Sequence, residues 1–151
     1  MNDQVFFVLT LASATGCGLI AGVFFAFSSF VMKALVRLPA AQGIAAMQSI
    51  NVAVINPLFM AVFLGTAATC AVVAVFSILT WRPYPLAGSL FYLAGTILVT
   101  GLFNVPLNNT LATMDSLALW ADYVTGWTAW NHVRTAAALI ASVLLTLSLR
   151  R

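Results

Sequence analysis

The chain has 151 residues, enough for one domain, and it is 63% hydrophobic and 6% charged with a mean hydropathy of +1.07. A soluble domain carries roughly 25% charged residues, so this chain cannot clothe a water-facing surface and its outside must face a lipid bilayer. The formal charge of +3 comes from six Lys and Arg scattered along the chain, which is no basic patch and argues against nucleic acid as a partner.

The first element follows from the N-terminus. Met1-Asn2-Asp3-Gln4 lacks the basic residues of a signal peptide. The apolar run behind it lasts to Val31, beyond the roughly 7–15 residues of a signal-peptide core, and reads as a retained membrane helix over 5–31. Crossing a hydrocarbon core of about 30 Å takes about 20 apolar residues. Segments 57–80, 86–103 and 128–149 supply three more spans. The expectation is an all-α integral membrane four-helix bundle in one domain, 1–151. Gly18, Gly22 and Ala26 on the first helix, and Ala61, Gly65 and Thr69 on the second, recur every four residues. Such small-residue faces let helices approach closely, within the bundle or in a homo-oligomer.

The connections are unequal. Residues 32–56 carry Lys33, Arg37 and a surface helix expected around 40–55. Asn56-Pro57 has the form of a capped helix start. Trp81-Arg82-Pro83-Tyr84-Pro85 is a tight interfacial turn. Asn104-Val105-Pro106 is expected to end or kink the third helix. Residues 104–127, with Asp115 and Asp122, are expected to hold another short helix. Arg82, Arg150 and Arg151 lie at the bare end, and the positive-inside rule then puts both termini in the cytoplasm.

Alternating passage through the membrane brings the end of helix one, the start of two, the end of three and the start of four to one side. That side receives Gln48, Asn51, Asn56, Asn104, Asn108, Asn131 and Arg134. Polar groups near hydrocarbon cost free energy unless they are paired, so this concentration is a candidate site. Trp127, Trp130, Asn131 and Arg134 have the spacing of one helix face. The alternative for them is an interfacial tryptophan belt with Arg134 snorkelling to headgroups. Asn104 and Asn108 flank a proline and either line a cavity or satisfy freed backbone groups. Gln48 and Asn51 share a face, solvated or turned inward. Phe27 and Phe30 could wall a slot for a flat apolar molecule. His132 is the sole histidine and the natural candidate base, although it lies about 100° around the helix from Asn131.

The spans hold no carboxylate apart from Asp3 near the start, which argues against a carboxylate-bridged di-iron site. One histidine and two separated cysteines, Cys17 and Cys70, argue against zinc or copper. No metal or other cofactor is expected; a haem held by His132, or a bound quinone, is the alternative. A non-enzymatic membrane binding or assembly protein also fits the composition.

Five stretches carry a resemblance. They are Phe27-Ser28-Ser29-Phe30-Val31-Met32 leading to Leu38-Pro39; Ala46-Met47-Gln48-Ser49-Ile50-Asn51; Asn56-Pro57-Leu58-Phe59-Met60; Asn104-Val105-Pro106-Leu107-Asn108; and Trp127-Thr128-Ala129-Trp130-Asn131-His132-Val133-Arg134. Through them the chain resembles the anthrone oxygenase-like family of small four-helix membrane proteins. The resemblance implies that fold, a bacterial inner-membrane location, and oxidation of an anthrone or similar planar phenol by dioxygen. It implies a slot from Phe27, Phe30, Trp127 and Trp130, binding groups at Gln48, Asn51, Asn104 and Asn108, anion stabilisation by Asn131 and Arg134, and His132 as base.

Overall fold

The computed structural model describes residues 2–113 and 119–150. Asp115 and Arg151 lie outside the described residues. Of the described residues 91% are helical, and no strand occurs among them. Among the described residues five helices follow in order: α1 (Asp3–Val36), α2 (Ala40–Ala53), α3 (Pro57–Leu79), α4 (Pro83–Ala112) and α5 (Trp120–Ser148). The four long ones form an integral membrane bundle, and α2 is the extra helix of the first connection.

Helices α1, α3 and α4 are each long and apolar enough to cross a membrane. Helix α5 is long enough at 29 residues, and Asn131, His132 and Arg134 lower its hydropathy. It packs along both α1 and α4. The ends are as expected from alternation: Asp3 pairs with Arg82 at 3.1 Å, and both line one surface hollow with Ser148 and Leu149.

Local chemistry explains the starts and stops. Asn2 accepts from the Val5 N–H and caps α1. Asn56 accepts from the Phe59 N–H and caps α3, with Pro57 in its first turn. Helix α3 ends with Trp81 in the left-handed region at φ 54°. The Arg82 N–H turns back to the Ser77 carbonyl, the closure in which glycine is the usual residue.

Two boundaries differ from expectation. Helix α4 does not end at residue 103 but runs on to Ala112. Its turns are widened to π geometry at Leu93–Leu98 and Thr100–Asn104. The Val105 N–H bonds the Thr100 carbonyl five residues back, so the helix is already loosened where proline would otherwise clash with it. Helix α5 starts at Trp120 rather than 128, because Trp120, Tyr123 and Trp127 pack into a core with Met32, Leu35 and Met47.

The close approaches also differ from the expected small-residue faces. A Cβ on Gly22 or Gly65 would meet open space, and both glycines are exposed. Gly18 of the expected face does make a close approach, a Cβ there standing 3.3 Å from Ser142 Oγ, and the tighter crossings are made by Gly16 against Thr66, Gly88 against Leu145 and Gly95 against Ala137. Helix α2 is fixed similarly: a Cβ on Gly43 would stand 2.9 Å from the Leu35 carbonyl oxygen and 3.0 Å from the Trp120 ring.

Candidate functional site

A cavity of about 270 Å³ lies inside the bundle toward its elaborated end. Phe24 and Phe27 of α1, Phe59 and Phe63 of α3, Thr100 and Asn108 of α4, and Trp127 and Arg134 of α5 contribute to its wall. Helix α2 and the bend after it roof it with Met47, Ile50, Asn51, Val54 and Ile55. Ligand pockets commonly begin at about 300 Å³, so this one suits a compact planar molecule of two or three rings.

Arg134 dominates the electrostatics. It sits 14 positions into α5, roughly 21 Å along the helix at 1.5 Å per residue, and its relative exposure is 5%. Its depth and burial replace the snorkelling alternative. One terminal nitrogen donates to Asn131 Oδ1 at 2.7 Å and the other to Thr100 Oγ1 at 3.2 Å. The guanidinium carbon stands 4.2 Å from the Phe24 ring centroid and 5.1 Å from that of Trp127, favourable for a cation in low dielectric. The Nε–H has no partner among the described residues. Among the described residues the one ion pair is Arg82–Asp3 at the far end, so no described carboxylate neutralises this cation.

Asn131 is fully buried and holds the arginine in place. Its Nδ2 donates to the Phe24 carbonyl and to Ser28 Oγ, each at 2.7 Å, and its Oδ1 receives Arg134. All its hydrogen-bonding capacity toward α1 and Arg134 is occupied, and it does not line the cavity. The bonds to Phe24 and Ser28 fall where α1 widens to π geometry at Phe27–Val31, a distortion often found beside functional sites.

Asn108 and Asn51 line the cavity. Asn108 Oδ1 accepts from Trp127 Nε1 at 2.8 Å and from the Tyr123 hydroxyl at 3.0 Å. Phe27 lies 5.5 Å from Trp127, centroid to centroid, and the two form one wall. Asn104 stands behind the wall: it is buried and donates to the Trp127 carbonyl at 3.2 Å, while its Oδ1 has no partner among the described residues. Gln48 donates to the Leu111 carbonyl at 2.8 Å and ties α2 to α4 without lining the cavity.

Three expected site residues lie elsewhere. His132 is exposed on the outer side of α5, as its rotation of about 100° from Asn131 requires, and it cannot act as a direct base in the cavity. Trp130 stacks on Phe103 at 3.6 Å between centroids, outside the cavity. Phe30 is 61% exposed, because the widened turn at Phe27–Val31 removes the three-residue register that would have put it beside Phe27.

Thr100, Tyr123, Phe24 and Phe63 were not expected. A signal existed for the first: Thr96, Thr100, Asn104 and Asn108 recur every four residues, one polar stripe along α4. Tyr123 precedes Trp127 by four residues and could have been found the same way. The phenylalanines gave no signal, since an apolar residue in a membrane helix can face lipid or core equally.

The family model described as anthrone oxygenase matches residues 59–144. This stretch exceeds half of the chain and contains Thr100, Asn108, Trp127, Asn131 and Arg134. No curated protein and no solved structure matches. The matched stretch carries the cavity's cation and its hydrogen-bonding partners on helices of a membrane bundle, and the chain belongs to the anthrone oxygenase family.

Proposed function

We propose that this chain is a membrane oxidoreductase that oxidises a planar phenolic or anthrone-like substrate with dioxygen, without a metal, and that the cavity around Arg134 is where the reaction occurs. The observation that carries this reading is a buried guanidinium with no described acidic partner, set against aromatic rings in a cavity of compact size. Burying an unpaired charge costs several kcal/mol, a cost that an anionic ligand would offset.

The chemistry follows from the substrate class. Dioxygen is a ground-state triplet and reacts slowly with closed-shell molecules. An anthrone loses a proton from C10 to give a delocalised anion whose negative charge rests largely on the C9 oxygen. That anion transfers one electron to dioxygen; the radical pair combines to form a C10–O bond and a peroxide. Loss of the second C10 proton with cleavage of the O–O bond leaves the C10 carbonyl and releases water. One anthrone and one dioxygen thus give one anthraquinone and one water.

In this scheme Arg134 supplies fixed positive charge to the C9 oxyanion. Asn131 and Thr100 hold the guanidinium still, and the aromatic wall keeps the dielectric low so that the charge acts strongly. Among the described residues neither a carboxylate nor an imidazole lines the cavity. The role of the cation is therefore to lower the substrate's own pKa until water suffices as proton acceptor. The substrate reaches the cavity from the apolar phase, past the exposed Val52, Ile55 and Leu58 at the bend between α2 and α3.

The test is the ionisation of a bound hydroxyanthrone, followed by its visible absorption as pH is raised under argon. The expected result is an ionisation midpoint lowered on binding to the wild type and returned to the solution value in Arg134→Met. An unshifted midpoint in a protein that binds the compound would refute the role given to Arg134.

A further inference from the structure

We propose that Asn108 is the cavity's second binding group, presenting its amide N–H₂ to a neutral oxygen of the substrate while Arg134 takes the anionic one, and that Trp127 and Tyr123 are the positioning residues that orient it. The proposal rests on the reading of the cavity as the place where an aromatic anion binds.

The orientation of the amide is set by its partners. An indole Nε1–H can only donate. Trp127 Nε1 stands 2.8 Å from one end of the Asn108 amide, and the Tyr123 hydroxyl 3.0 Å from the same end. Reversing the amide would point N–H₂ at the indole N–H and oppose two donors, so the end facing Trp127 is the carbonyl oxygen. Asn108 lines the cavity, and its Nδ2 makes no hydrogen bond to a described residue. The N–H₂ is therefore the polar end left for a ligand.

Of the cavity's other polar side chains, Asn51 belongs to the roof helix α2, and the Thr100 hydroxyl is already engaged. The Thr100 hydroxyl gives its proton to the Thr96 carbonyl at 2.7 Å and accepts from Arg134. Arg134 and Asn108 are thus two donors placed around one indole: the guanidinium over the ring at 5.1 Å from its centroid, the amide at its nitrogen edge. The ligand class that fits is a ring system with an ionisable oxygen and a second acceptor oxygen, in preference to the same ring bearing one oxygen.

Binding of anthrone and of 1,8-dihydroxyanthrone, measured under argon by quenching of tryptophan fluorescence in mild detergent, tests the assignment without depending on turnover. The wild type should bind the dihydroxy compound about tenfold more tightly, the factor expected for one good hydrogen bond. Asn108→Ala should bring the ratio to within about twofold of unity. Arg134→Lys should weaken both compounds and keep the ratio. Tyr123→Phe removes one of the two donors that hold the amide and should reduce the ratio to about threefold, whereas a merely structural tyrosine would shift both affinities and leave the ratio unchanged. Should Asn108→Ala not fold, Tyr123→Phe decides. A wild-type ratio near one, or a ratio unchanged in the variants, overturns the role of Asn108 while leaving the cavity's function standing. A wild type that binds neither compound overturns both.

Discussion

Replacing Arg134 by Met separates the chemistry of the cavity from its packing. Met matches the unbranched stem of Arg and fills the space between Phe24 and Trp127 without charge. The change deletes the bonds to Asn131 Oδ1 at 2.7 Å and Thr100 Oγ1 at 3.2 Å. Hydrogen bonds to charged groups contribute about 1.5–3 kcal/mol each, and the contact with the rings about 2 kcal/mol when desolvated. Against that loss stands relief of the cost of a buried unpaired charge, several kcal/mol. The opposed amounts are similar, so stability should change by no more than about 2 kcal/mol, a shift in Tm below about 8 °C for a chain of this size. Anion binding has no such compensation. Losing a buried counter-charge costs about 2–5 kcal/mol, or roughly thirtyfold to several thousandfold in affinity. Thermal melting in detergent and anthrone turnover on the same preparation give the two numbers. A Tm lowered far beyond about 8 °C together with wild-type turnover would refute the reasoning and identify Arg134 as a structural residue.

Three further outcomes follow from particular contacts. His132→Ala should retain wild-type turnover at all pH values, since the imidazole lies outside the cavity; a lost pH dependence in the rate profile would contradict this. Gly43→Ala should reduce substrate affinity severalfold and stability by about 1–3 kcal/mol, because its Cβ would press on the Leu35 carbonyl and Trp120 and displace the roof helix; an unchanged KM and Tm would contradict it. Thr100→Val removes one of the two side chains that hold Arg134 and should weaken anion binding by about fivefold, about 1 kcal/mol, with the protein still folded; unchanged binding would show that Asn131 suffices.

The bundle was legible because a chain that is 6% charged has no other way to satisfy water and its own backbone. The capped start at Asn56 and the convergence of amides at one end follow from local chemistry and alternating passage. Along α5, helical periodicity brought Trp127, Asn131 and Arg134 to one inward face, where they meet. The same periodicity overreached at Trp130, which lies far enough around the face to stack on Phe103 instead. On α1 it failed at Phe30, because a π turn changes the register and no residue pattern in Phe27–Val31 announces one. Hydropathy also could not separate Phe24 and Phe63, which face the cavity, from Phe25, which faces outward, since lipid and protein core are equally apolar. His132 drew notice for its chemistry, yet position on the helix decided against it.

Purified protein supplied with 1,8-dihydroxyanthrone and isotopically labelled dioxygen in mild detergent, followed by quinone absorbance, oxygen consumption and product mass, reports the reaction itself. The expected result is quinone formation well above the uncatalysed rate, one dioxygen consumed per quinone with one labelled oxygen retained in it, and loss of that rate in Arg134→Met. Oxidation no faster than in detergent alone, or an equal rate with Arg134→Met, would contradict it.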